Sequence, residues 1–275
     1  MLKSCFITGK TLDDVYFQLL SEIYKHGRVN YIDSGSYEGI CRLEFDFVAG
    51  TIEFPLTRPL APIFPPNTPP VTTDEDIEKY FINYLMDGSN LAENEHYRYA
   101  TWINGGEYIL PKVEMNFYED VDDTDYEVYS NDGSEEAVIT VPNQIEWCIK
   151  HYKEKGFGNN HCYIQIGYPE SSFAYDVPYT DPSNRQTSPC LRGIDTHMKR
   201  DNNVWKLCFA VSFRSWDLFA AFPENIGGII LLQSFMADQL STDDVKVEVG
   251  ALSFSCLKLH CYDYQIGPLK LRLGI

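Results

Sequence analysis

Residues 204–240 read VWKLCFAVSFRSWDLFAAFPENIGGIILLQSFMADQL, and the order strand, polar turn, helix within that run decides the fold. Val204 to Phe213 is apolar at nearly every position, which predicts a strand covered on both faces. Arg214-Ser215-Trp216-Asp217 then interrupts with a cation, a hydroxyl and a carboxylate. From Asn225 to Leu240 the residues Ile226, Ile229, Ile230, Leu232 and Phe235 recur at helical spacing. Val247 to Tyr262 reads as strand again. A strand feeding a helix and then another strand, with no linker or repeat, predicts α/β (α+β) architecture: a large mixed β-sheet flanked by helices in a single domain over residues 1–275.

The flanking chain fits that expectation. Cys162 to Gly167 alternates as a strand, and Pro142-Asn143-Gln144 caps a helix that runs to Lys155 and stops at Gly156-Phe157-Gly158. Thr72-Thr73-Asp74-Glu75 opens a helix carrying Ile77, Tyr80, Phe81, Tyr84 and Leu85, closed by Gly88. Pro55 to Pro70 holds seven prolines and is an extended connector. Cys41 to Phe54 predicts two strands and a turn around Gly50, and residues 11–27 an amphipathic helix ending at Gly27. Residues 119–136 carry nine acidic side chains and no basic one, a solvated loop. A calcium loop around Gly133 fails because Val128 stands where the first carboxylate belongs.

A formal charge of -18 excludes a general nucleic-acid face, which needs clustered cations. A few placed arginines can still hold a small anion. Eight cysteines at 5, 41, 148, 162, 190, 208, 256 and 261 contain no Cys-x-x-Cys pair, so no metal site is expected and free thiols in a reducing compartment are. Neither a signal peptide nor a membrane-spanning run is evident, and the expected location is cytoplasmic.

The chemistry concentrates in Ser188-Pro189-Cys190-Leu191-Arg192, then Arg214 to Asp217, then Phe222-Pro223-Glu224-Asn225. The attacking form of a thiol is the thiolate, which a guanidinium such as that of Arg192 or Arg214 stabilises. Taken singly, each residue has a plainer role. A lone Cys190 is a core thiol, Asn225 a helix cap, His260 a satisfied strand histidine, Tyr99 a core aromatic, and Arg214 with Asp217 an ion pair.

Taken in order, Pro189-Cys190, Arg214-Ser215-Trp216-Asp217-Leu218, Phe222-Pro223-Glu224-Asn225 and His260-Cys261-Tyr262 resemble the thymidylate synthase and deoxycytidylate hydroxymethylase superfamily, in its archaeal-type branch. Ile52-Glu53-Phe54-Pro55-Leu56-Thr57-Arg58-Pro59 and Tyr97-Arg98-Tyr99 extend the likeness upstream, so that it spans roughly residues 40–265. The resemblance implies one-carbon transfer from 5,10-methylenetetrahydrofolate to carbon 5 of deoxyuridylate. Cys190 would add to carbon 6, and Tyr99 would serve proton removal at carbon 5. Arg58, Arg214 and Ser215 would hold the 5′-phosphate, and Asn225 would read the base edge. His260 and Tyr262 would bind the sugar 3′-hydroxyl, and Asp217 the pterin. It also implies a homodimer whose clefts borrow residues across the interface.

Three departures accompany the likeness. The family's cross-subunit arginine pair is replaced by Asn159-Asn160-His161, which leaves His161 as the candidate phosphate ligand there. The family's glutamate ahead of the tyrosine element has no match, since Glu78 sits too early and Phe81 occupies the expected turn. A tryptophan-bearing loop is missing between Gly88 and Tyr97. Water addition giving a hydroxymethyl group on a uracil or cytosine nucleotide therefore stands as the alternative reaction, and a non-catalytic nucleotide-binding relative as a further alternative.

Overall fold

The computed structural model describes residues 2–33, 37–89, 91, 95, 97–111, 136–167 and 188–275. The acidic stretch from Glu119, up to the strand that begins at Glu136, lies outside them, as do the rejected calcium loop and most of the link between Gly88 and Tyr97.

An eight-stranded mixed sheet carries the fold. Its longest strand, β10 (Val247–Tyr262), runs antiparallel to β3 (Cys41–Ile52) on one side and parallel to β8 (Val204–Phe213) on the other. β1 (Ser4–Gly9) and β2 (Arg28–Tyr31) share the outer side of β3, parallel and antiparallel to it respectively. Beyond β8 come β7 (Leu191–Asp201) and β6 (Tyr163–Gln165), both antiparallel, and the two-residue β9 (Trp216–Asp217) lies on β10. A separate two-stranded sheet pairs β4 (Gly106–Pro111) antiparallel with β5 (Glu136–Val141).

One sheet face is covered by helices. α1 (Leu12–His26) is capped by Thr11, whose side chain accepts from the Asp14 N–H. α2 (Asp74–Tyr80) opens with a reciprocal Thr73–Asp76 capping box and widens into a π-helical turn over Phe81–Met86. α3 (Ala100–Ile103) and α4 (Gln144–Lys155) follow. α5 (Ala221–Leu240) is buried almost all round, and α6 (Ile266–Leu273) closes the chain. Gly227 and Gly228 let α2 approach α5, because an added Cβ would stand 2.7 Å from the Ile77 side chain at the first and 2.4 Å from the Tyr80 ring at the second.

Two expectations are corrected. Cys41 to Ile52 is one continuous strand with no turn at Gly50. The glycine is there for room: a Cβ would meet the Phe254 ring of β10 at 2.5 Å. α5 begins at Ala221, four residues before the expected start, because the Asp217 side chain accepts from the Phe219 N–H at 2.9 Å and the Ala220 N–H at 3.4 Å and organises the entry turn. Asn225 therefore lies inside the helix and is not its cap.

The sheet ladder between β10 and β8 shifts register between Val249 and Leu252. Buried Gln233 of α5 fills the irregularity, donating to the Leu207 carbonyl at 2.7 Å and the Gly250 carbonyl at 3.2 Å. That satisfies backbone acceptors the broken ladder leaves over.

Candidate active site

The topology gathers one end of the sheet. Arg214 and Ser215 follow the C-terminal end of β8, His260 and Tyr262 stand at the same end of parallel β10, and antiparallel β7 starts there directly after Cys190. Ligands of open α/β sheets bind at the carboxyl ends of parallel strands. A cleft of about 1150 Å³ occupies this position, lined by Tyr99, Cys190, Arg214, Ser215, Asp217, Asn225, His260 and Tyr262 among others. Single drug-sized ligands fill roughly 300–1,000 Å³. There is room for more than one small molecule.

Cys190 is held by its backbone. Its N–H donates to the Tyr97 hydroxyl at 3.3 Å, and the Leu191 N–H donates to the Tyr99 hydroxyl at 3.2 Å. Arg214 fastens the preceding residues: Nε donates to the Pro189 carbonyl at 3.1 Å and one Nη to the Ser188 carbonyl at 2.9 Å. The Arg214 N–H donates to the Cys190 carbonyl at 2.9 Å. A guanidinium, two phenols and the thiol residue are thereby locked into one unit.

The tyrosines form a chain of rings. Tyr80 stacks on Tyr84 at 5.0 Å, Tyr84 meets Tyr99 edge-on at 5.1 Å, and Tyr97 lies 5.8 Å from Tyr99. Burial pushes all four phenols well above their ordinary pKa, so each hydroxyl is protonated at neutral pH.

Asn225 accepts from the Trp216 indole N–H at 3.0 Å through Oδ1, which directs its amide group. Trp216 is itself stacked on Phe213 with ring centroids 3.6 Å apart. Asp217 spends both carboxylate oxygens on its own chain: Oδ1 takes the N–H groups of the α5 entry turn, and Oδ2 accepts from Gln265 Nε2 at 3.0 Å.

His260 is buried, and its Nδ1 lies 3.0 Å from the Lys258 carbonyl. Nδ1 therefore carries the proton, leaving Nε2 as an acceptor with no partner among the described residues. Burial holds this imidazole below the ordinary histidine range. The Tyr262 ring stands 4.9 Å away, edge-on.

Arg58 and His161 lie outside this cleft in their own chain. The half-exposed Arg58 pairs with Asp74 at 3.4 Å. His161 follows α4 on the surface, its ring 5.6 Å from that of His151.

Several cleft residues escaped the sequence reading. Arg42 of β3 enters as a further cation beside Arg214, Arg98 and Lys79, its Nε 2.7 Å from fully buried Glu44, to which Arg28 also reaches at 3.3 Å. The alternation Arg42, Glu44, Asp46 between Leu43, Phe45 and Phe47 is the signal that marked a polar face. Tyr80 and Tyr84 were visible only as an apolar helix face. Glu224, beside Asn225, also lines the cleft.

The whole arrangement is the fold of the thymidylate synthases with a thiol-bearing cleft at the open end of its sheet. Thermostable thymidylate synthase A from Bacillus subtilis superposes with a TM-score of 0.57 at 14% identity, over 94% of this chain and 83% of that one. In sequence, a curated protein of Methanosarcina mazei named "Putative thymidylate synthase" is 25% identical over 260 residues, 94% of this chain and 89% of that protein. The superfamily likeness thus runs along nearly the whole chain, which is thymidylate synthase-like. No protein-family model matches the sequence. Among the described residues no helix is long and apolar enough to cross a membrane.

Proposed function

We propose that this chain transfers a one-carbon unit from 5,10-methylenetetrahydrofolate to carbon 5 of deoxyuridylate, through a covalent adduct on Cys190. The observation that carries the reading is the fastening of the segment around Cys190 by distant residues: Tyr97 accepts from the Cys190 N–H, Tyr99 from the Leu191 N–H, and Arg214 donates to the Pro189 and Cys190 carbonyls. A thiolate adding to carbon 6 of the uracil enone makes carbon 5 nucleophilic, and the protonated Tyr99 hydroxyl, bonded to the Leu191 N–H, serves the later proton removal by orienting a water that takes the proton. Arg214 and Ser215 hold the phosphate, joined by Arg42 from β3. The His260 Nε2 accepts from the sugar hydroxyl beside Tyr262, and Asn225 reads the carbonyl edge of the base. Asp217 faces the folate with whatever lone pairs its chain contacts leave.

The active form is a homodimer. The sheet face opposite the helices is left uncovered among the described residues: Phe6, 73% exposed, and Leu257, 55% exposed, flank a row of Ala49, Ser255 and Ser212. Small side chains on a broad sheet suit a second copy of the same face. Pairing also gives Arg58 and His161 a route to the partner's phosphate.

Incubation with deoxyuridylate and methylenetetrahydrofolate, followed by mass analysis of the nucleotide, tests the reaction. A methylated product supports it, a hydroxymethylated product replaces it with water addition on the same site, and no product with bound nucleotide leaves a binding protein.

A further inference from the structure

One carboxyl group in the cleft has no part in the scheme above. Glu224 sits in the first turn of α5 beside Asn225, lines the cleft, and has no hydrogen-bond or ion-pair partner among the described residues. Next to it is an orphan. The Tyr80 hydroxyl is buried and also lacks a hydrogen-bond partner. Its ring lies over Gly228, one helical turn beyond Glu224 on the same face of α5, since an added Cβ there would stand 2.4 Å from Tyr80 Cδ1. Tyr80 and Tyr84 line the same cleft as Glu224 and Cys190, and each phenol interacts electrostatically with both.

An unpaired carboxyl and an unpaired buried phenol in one cleft are costly unless a reaction uses them. Burial, and secondarily the charge of Asp76, raise the Glu224 pKa above the ordinary glutamate range and favour its protonated form. The other charged groups at this end of the cleft are Asp76 and Lys79 of α2, Glu95 and Arg98 across it, and Arg214 beside the thiol.

We infer that Glu224, steadied by Tyr80, is the acid–base carboxyl of this cleft, donating a proton to the base carbonyl as the Cys190 thiolate adds and recovering it afterwards. The inference rests on the function proposed above. Its chemistry follows from the enone. As the S–C6 bond forms, the C5=C6 π pair moves toward C5 and the C4 carbonyl oxygen, which becomes an enolate. The Glu224 O–H breaks, the proton goes to that oxygen directly or through one water, and carboxylate remains. When the C5 pair forms its new carbon–carbon bond, the enol O–H returns its proton to Glu224. Glu224 and Asn225 both line the cleft, so a ring whose carbonyl edge rests on Asn225 lies in the same cavity as the Glu224 carboxyl. The Tyr80 hydroxyl can donate to the carboxylate while it is ionised.

The test uses Glu224→Gln, Glu224→Asp and Tyr80→Phe in the full-length protein, with deoxyuridylate and methylenetetrahydrofolate. Expected results are near-native deoxyuridylate affinity by calorimetry, with kcat reduced about 10²-fold or more in Glu224→Gln. The Glu224→Asp variant should recover part of it. The native pH profile of kcat/KM should fall on its alkaline side as Glu224 loses its proton, a limb absent in Glu224→Gln and moved to higher pH in Tyr80→Phe. Turnover of Glu224→Gln within twofold of native, or an unchanged alkaline limb, overturns the inference.

A second measurement is independent of activity. A carboxyl whose folded pKa is raised weakens the fold as pH rises above the unfolded value of about 4.3, so Glu224→Gln should melt higher than native at pH 7 and equally at pH 4. An equal difference at both pH values overturns the inference. Should the native protein bind no pyrimidine nucleotide, the functional reading fails while the melting comparison still reports on Glu224.

Discussion

The Trp216 indole N–H and the Asn225 carbonyl oxygen are 3.0 Å apart, so the orientation of this cleft amide is set by a tryptophan that is itself stacked on Phe213. One lone pair of Oδ1 and both amide hydrogens remain for a ligand. Replacing the amide by a carboxyl keeps the indole acceptor while changing what the ligand meets. Asn225→Asp should lower deoxyuridylate use relative to deoxycytidylate by about tenfold or more, read as the ratio of the two kcat/KM values. An unchanged ratio removes Asn225 from base reading.

Cys190→Ala and Cys190→Ser should each lose turnover by on the order of 10³-fold or more while binding deoxyuridylate within a few-fold of native, because the thiol is asked to form a bond and not to hold the ligand. Binding by calorimetry and adduct formation by mass analysis of the intact protein check both halves. None of the other seven cysteines should behave this way; Cys256 and Cys261 are buried, and burial raises their thiols above the ordinary range.

Acid should weaken the fold through His260. Its imidazole is held below the ordinary range by burial, so between its folded pKa and the unfolded value of about 6.5 the unfolded chain binds more protons. Stability is therefore present above about pH 6.5 and is lost as pH falls through the folded pKa. His197 is shifted the same way, by burial and then Lys199, and adds to the slope. Thermal melts from pH 7.5 to pH 5 should show a shallower decline in His260→Gln. A slope equal to native would assign the acid sensitivity elsewhere.

Gln233→Leu should destabilise the chain by about 1–3 kcal/mol, since the Leu207 and Gly250 carbonyls lose a buried donor and cannot pair across the shifted ladder. Denaturant midpoints at constant m-value measure this. A neutral result would mean that water reaches the gap.

The strand–turn–helix order of residues 204–240 and the spacing of Cys190, Arg214 and Asn225 were legible because each rests on local periodicity or on short motifs. Gly50 misled, since a glycine inside an alternating run marks a bend or a close approach equally well, and only Phe254, some two hundred residues away, decides between them. The α5 start was misplaced for a similar reason: the residue that organises it is Asp217, outside the helix, and not Asn225 within it. Arg42 and Tyr80 could not be assigned to the cleft from periodicity, which reports the burial of a face and not what stands opposite. Arg214 was read as a phosphate ligand, and the hydrogen bonds show a further duty in anchoring Ser188 and Pro189.

The position of β10 sets an order on synthesis. It comes last in chain order among the described strands, yet it lies between β3 and β8 and joins them. A ribosome-bound chain that has emerged only through β8 can form two partial sheets, one around β3 and one around β8, each with an exposed edge where β10 belongs. Nascent chains stalled before residue 247 should therefore depend on chaperones, and the cleft, whose far wall is His260 and Tyr262, comes into being only when the sheet is joined.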